Sequence, residues 1–162
     1  MARPNPIRKI MSQPLPMISE QRRKCFRPTN KEVIYAYNIL NKYIFDNTLY
    51  RPNIELGRLR KTWGYCLWQK EQQDTGSYCT IKLSDKWFCE QWFMNTLAHE
   101  MVHQYQWDIY RFEEHNGDYE KNSGAHGPDF FMFRDRFDHY GLRLKQWYGQ
   151  KRWLKHQDWY KC

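Results

Sequence analysis

Aliphatic side chains are scarce. Leu, Ile, Val and Phe together make about 19% of the 162 residues, and with a net charge of +8 that proportion would ordinarily describe a chain too polar to collapse. Long apolar runs are absent as well: nothing approaches the ~18 consecutive residues of a membrane-spanning helix, and the mean hydropathy is −0.99. The N-terminal stretch places prolines where a signal peptide needs an unbroken apolar helix, so neither export nor membrane insertion is expected. The five cysteines, Cys25, Cys66, Cys79, Cys89 and Cys162, are odd in number and include no CxxC pair. That excludes a complete disulfide framework and a cysteine-based zinc ribbon, and it predicts reduced, intracellular thiols; a Cys66–Cys79 bridge would require their strands to pair. What the chain does have is rings. Aromatics make up 18% of it, and each buried ring removes far more apolar area from water than an aliphatic side chain does, so a packed core is within reach.

The length is that of one domain. Charge divides it into three parts. Residues 1–31 carry net +7, residues 140–162 carry net +5, and the centre is net −4. Residues 1–28, basic and Pro-rich, read as an extended arm, 29–141 as the folded domain, and 142–162 as a basic, Trp-rich tail. Thr29-Asn30-Lys31-Glu32 fits a capping box, and Val33, Tyr37, Leu40 and Ile44 then repeat at helical spacing. Ile54 with Leu56, the run Trp63–Trp68, and the alternating Cys79, Ile81 and Leu83 predict three short strands, the last two joined as a hairpin through Asp74-Thr75-Gly76. Ser84 or Asp85 could cap a second helix reaching about Arg111; Phe112–Gly127 reads as a long loop, and Pro128 opens a third helix ending near Gly141. The expected fold is α+β: an opening helix, a small three-stranded antiparallel sheet, a central helix and a further C-terminal helix.

His99-Glu100-Met101-Val102-His103 is an HExxH motif inside the second helix. Residues four apart on a helix point the same way, so the two imidazoles can share one metal ion. With Leu97 at zero on a helical projection, the apolar positions centre near 60° and the two histidines fall near 200° and 240°, away from the expected core stripe, all angles being approximate. Composition alone would produce this motif about once in a hundred shuffled chains. A catalytic zinc takes three protein ligands and keeps one position open. The extended metzincin pattern is excluded, because Ile109 stands where its third histidine would be. The leading third ligand is His126, between glycines and just before a predicted helix start; Glu120, His115, Glu113 and Glu114 compete with it.

The succession of an opening helix, Thr62-Trp63-Gly64-Tyr65-Cys66, Thr80-Ile81-Lys82-Leu83-Ser84, His99–His103 and His126-Gly127-Pro128-Asp129-Phe130 resembles the SprT-like (Spartan) zinc metalloprotease domain over about residues 29–140. HExxH followed by HGPxF is much more specific than HExxH alone. The resemblance implies a compact zincin fold, Zn2+ held by His99, His103 and His126, Glu100 as catalytic base, and proteolysis coupled to DNA, typically of proteins covalently trapped on it. The sequence departs from the family in a long interval between His103 and His126, and it lacks the C-terminal cysteine zinc ribbon of some relatives.

The function expected is therefore that of a DNA-associated zinc endopeptidase acting on protein substrates. The basic ends are the expected contacts for DNA, single-stranded or at junctions, through Arg22, Arg23, Lys24, Lys151, Arg152, Trp153 and Lys155, with phosphates neutralised by cations and bases stacked on rings. A zinc peptidase unrelated to DNA and a noncatalytic zinc-containing DNA-binding protein are the alternatives. The expected location is intracellular, cytoplasmic or nucleoid-associated, with a virus-encoded protein acting in its host cell as a variant of that expectation.

Overall fold

The computed structural model describes residues 26–87, 90–114 and 125–146, with the side chains of 111–114 left out of that description. The first helix, α1 (Asn30–Ile44), starts as the sequence requires: Thr29 Oγ1 accepts from Glu32 N–H and the Glu32 carboxylate accepts from Thr29 N–H, closing both halves of the capping box. It stops where Asp46 and Asn47 adopt left-handed φ values of 54° and 60°. Its inner face buries Val33, Ala36, Tyr37, Leu40 and Ile44.

Three strands follow: β1 (Asn53–Gly57), β2 (Gly64–Trp68) and β3 (Cys79–Ser84). The sheet is mixed, not wholly antiparallel as the sequence suggested. β2 and β3 form the expected antiparallel hairpin, but the strand order is β1-β3-β2, and β1 pairs parallel to β3. The reason lies in burial. β3 is buried at five of its six positions, so it takes the centre, and β1, running in the same direction, pairs with it from the far side. The hairpin turns through Gly76 at φ 102°, a conformation glycine adopts without a Cβ penalty. Cys66 and Cys79, on these paired strands, are free thiols.

The central helix, α2 (Glu90–Tyr105), begins later than Ser84 or Asp85. Ser84 ends β3 instead, and its carbonyl accepts from the Trp87 indole at 2.7 Å. From Trp92 to Val102 every residue of α2 is buried, which corrects the expectation of one apolar stripe with the histidines turned away from it. The sheet covers one side of the helix and the C-terminal segment covers the other. Gly64 allows the close approach to β2: a Cβ there would sit 2.9 Å from Leu83 Cδ2 and 3.2 Å from Thr96 Cγ2.

Beyond Tyr105 the chain continues as a π-helix, Gln106–Glu114, so the helical path overruns the start predicted for the loop. The predicted C-terminal helix is two short ones, α3 (Pro128–Phe131), with Pro at its start, and α4 (Arg134–His139). The break falls at Phe133, whose ring packs on Phe45 and Tyr105. Phe26, from the end of the arm, is buried against Phe93, and Leu142 and Leu144 are buried beyond Gly141, so the core extends past both ends of 29–141. The aromatics assemble as their abundance required: Trp87, Trp92, Tyr37, Phe93, Phe130 and Phe137 are almost fully enclosed. Among the described residues no helix is long and apolar enough to cross a membrane.

Candidate metal centre

His99 and His103 stand one turn apart on α2, and His126 returns to them from the segment just before α3. The turn Gly127-Pro128 starts that helix with proline's fixed φ and brings Phe130 under the three rings. The centroid of Phe130, itself fully buried, lies 4.9 Å from His99, 4.9 Å from His103 and 4.7 Å from His126. The imidazoles thus share an apolar floor.

Their nitrogens converge. His99 Nε2 is 3.2 Å from His103 Nε2 and 3.4 Å from His126 Nε2, and one donor atom from each ring lies within 4.8 Å of the others. Metal–nitrogen bonds of ~2.0–2.1 Å meeting at tetrahedral angles need nitrogens about 3.3 Å apart, so the donor set fits a zinc-sized cation. Electrostatics agree. Burial, with His103 and His126 adding to it, holds His99 well below the ordinary imidazole pKa; burial lowers His103 to about 4 and also lowers His126. All three are therefore neutral near pH 7, the state in which imidazole ligates a metal.

Glu100 follows His99 in the chain. Only 6% exposed, it lies against β2, where the Cys66 main-chain N–H donates to its carboxylate. The sheet register explains why that N–H is available. Gln69 N–H donates to Tyr78 O and Ser84 N–H donates to Trp63 O, so the odd-numbered residues of this stretch bond to β3 and the main-chain groups of Gly64, Cys66 and Trp68 face outward. Burial pushes the Glu100 carboxyl up to about 8, with the Cys66 hydrogen bond opposing the rise.

Of the sequence-derived candidates, the structure brings together His99, His103 and His126, with Glu100 next in chain to the first of them. The competing ligands His115 and Glu120 lie outside the described residues, as do the side chains of Glu113 and Glu114. The proposed DNA contacts Arg22, Arg23, Lys24, Lys151, Arg152, Trp153 and Lys155 lie outside them too. Sequence reasoning missed Gln106 and Asp129. Gln106 Oε1 is 2.7 Å from His103 Nδ1, and its Nε2 donates to Asp129 Oδ2 at 2.7 Å and to Ala125 O at 2.9 Å. The i, i+3 spacing of His103 and Gln106 was a visible signal for the first contact.

No curated protein matches the chain. The model of the SprT-like family matches residues 34–145, which takes in most of the opening helix, the sheet, the HExxH helix and the segment after His126, and the chain belongs to that family.

Proposed function

We propose that the protein is a zinc-dependent endopeptidase with a zincin-like catalytic core. The observation that carries this reading is the meeting of three neutral imidazoles, with His99 Nε2 at 3.2 and 3.4 Å from the Nε2 atoms of His103 and His126 and a buried carboxylate following His99 in the chain. His99, His103 and His126 would hold the metal through their ring nitrogens. Bound there, zinc would supply a Lewis acid that makes a water acidic near neutral pH and polarises a peptide carbonyl.

The remaining chemistry belongs to the chain. Glu100, as catalytic base, takes a proton on its carboxylate and later delivers it to the leaving amine. Its raised pKa suits both transfers near neutral pH, and the Cys66 N–H fixes the orientation of the carboxylate. β2 is an edge strand, so an extended polypeptide can lie along it and bring a scissile carbonyl past Glu100, which favours unfolded or loop segments as substrates. The fully buried Phe130 excludes water from the far side of the imidazoles.

The further reading is that this peptidase works on DNA, on proteins bound or crosslinked to it. Its support is the family together with the charge pattern, net +7 in residues 1–31 and +5 in residues 140–162 around an acidic centre. The experiment is metal analysis paired with a casein and self-cleavage assay, with and without single-stranded DNA, on parent and Glu100→Gln protein. One zinc per chain in both, with cleavage by the parent alone and stimulated by DNA, is the expected result. Cleavage indifferent to DNA leaves a peptidase without the DNA role, and zinc-loaded parent that hydrolyses nothing overturns the enzymatic reading.

A further inference from the structure

The buried side-chain amide of Gln106 touches both halves of the metal centre at once. It follows Tyr105 directly as the first residue of the π-helix, and it is only 6% exposed. Its Nε2 faces Ala125 O at 2.9 Å and Asp129 Oδ2 at 2.7 Å. A main-chain carbonyl can only accept, so the amide orientation follows from the network: the NH2 group must be on that side and Oε1 on the other. Oε1, which also only accepts, then lies 2.7 Å from His103 Nδ1. The proton of neutral His103 must therefore sit on Nδ1. The Nε2 lone pair is left facing His99 and His126.

We propose that Gln106 is a positioning residue for the metal triad: it fixes the tautomer and ring plane of His103 and, through Ala125 and Asp129, pins the segment that delivers His126. The inference deepens the peptidase reading and rests on it for the identity of the metal. Its geometry is specific. Ala125 immediately precedes His126, and Asp129 is three residues beyond it, so one amide grips the chain on both sides of the third ligand. A Leu at 106 would match the size of the amide and lose all three hydrogen bonds. A Glu would keep the acceptor for His103 and replace the donor facing Ala125 and Asp129 with a second carboxylate.

The test uses the full-length protein in two arms. In the metal-free protein near pH 7.5, long-range proton–nitrogen NMR correlations report which ring nitrogen of His103 is protonated. The parent is expected to show the Nδ1–H form, Gln106→Leu a mixture dominated by Nε2–H, and Gln106→Glu the parent tautomer. In the second arm, chelator competition gives zinc affinity: Gln106→Leu is expected to bind about 10–100-fold more weakly than the parent, the usual span for a lost partner of a ligating histidine. Gln106→Glu, which loses only the grip on the His126 segment, is expected to fall between them. Parent-like tautomer and parent-like zinc affinity in Gln106→Leu overturn the proposal, as does loss of the Nδ1–H form in Gln106→Glu. If Gln106→Leu does not fold, Gln106→Glu decides alone: parent tautomer with weakened zinc binding supports the proposal, and parent affinity overturns it. A parent that binds no zinc overturns the peptidase reading itself, which the tautomer arm does not depend on.

Discussion

Two buried polar clusters lie side by side at the C-terminal end of α2, and they differ in one respect. Gln104, between His103 and Tyr105, accepts from Tyr37 O–H at 2.9 Å and donates to Asp108 Oδ2 at 3.0 Å and to Tyr50 O. Asp108 also accepts from Ser77 O–H at 2.6 Å and from Tyr78 N–H at 2.8 Å. Every donor there meets an acceptor, and the cluster ties α1, β3 and the π-helix together. The imidazole cluster has the opposite character. One nitrogen of each ring turns toward the others, and no carboxylate is among the groups that shift the pKa of His99 or His126. Three imidazole nitrogens gathered within 4.8 Å of one another could hold a cation, whereas the Gln104–Asp108 cluster is complete as it stands. Polar burial that satisfies itself serves the fold; polar burial that converges lone pairs serves a ligand.

Substitutions can break or sharpen that contrast. The largest effect is expected from Glu100→Gln, which should lower peptide hydrolysis by about 100–10,000-fold while zinc content, measured by elemental analysis, stays at the parent level. Asp108→Ala should do the reverse. It removes the Asp108 acceptor from the Ser77 hydroxyl and the Tyr78 N–H and leaves the Gln104 amide with Tyr50 O, so it should destabilise the fold by about 3 kcal/mol in denaturant titration and leave zinc affinity within about threefold. A smaller effect should appear in calorimetry. Because burial holds the Glu100 carboxyl near a pKa of about 8, the metal-free protein carries that proton near pH 7, and a cation beside it should drive the proton off. Zinc binding measured in buffers of different ionisation enthalpy should therefore release close to one more proton from the parent than from Glu100→Gln.

The smallest effect should come from Glu90, at the start of α2, raised to about 7 by burial and then by the charge of Glu32. Between its ordinary value of 4.5 and about 7 the folded state binds more protons than the unfolded one, so this group's contribution to stability falls as pH rises through that window. Glu90 is half-exposed, so screening limits the effect: Glu90→Gln should match the parent near pH 4 and exceed it by at most about 1 kcal/mol near pH 8 in urea titrations.

Much of the metal centre was legible because its signals are local. HExxH on a helix sets two candidate ligands one turn apart by spacing alone, and Pro128 after Gly127 marks the turn that returns His126. The capping box at Thr29 and the β2–β3 hairpin are equally local and appear as read. The parallel β1–β3 pairing was not legible, because nothing in Ile54 or Leu56 says which later strand they will meet. Nor was the burial of α2 on all sides, since Asn95 and Gln104 look like an outer face until Arg143 and Tyr37 supply their partners. Gln106 escaped notice for the same reason: its meaning depends on Ala125 and Asp129, which only the folded chain brings to it.

The most direct test of the central claim is zinc K-edge X-ray absorption on the parent loaded with one equivalent of zinc, repeated on His126→Ala. The account predicts three imidazole nitrogens at about 2.0–2.1 Å in the parent, with light-atom scatterers completing the shell, and two imidazoles in the variant. A sulfur scatterer, or an imidazole count unchanged by His126→Ala, would contradict it.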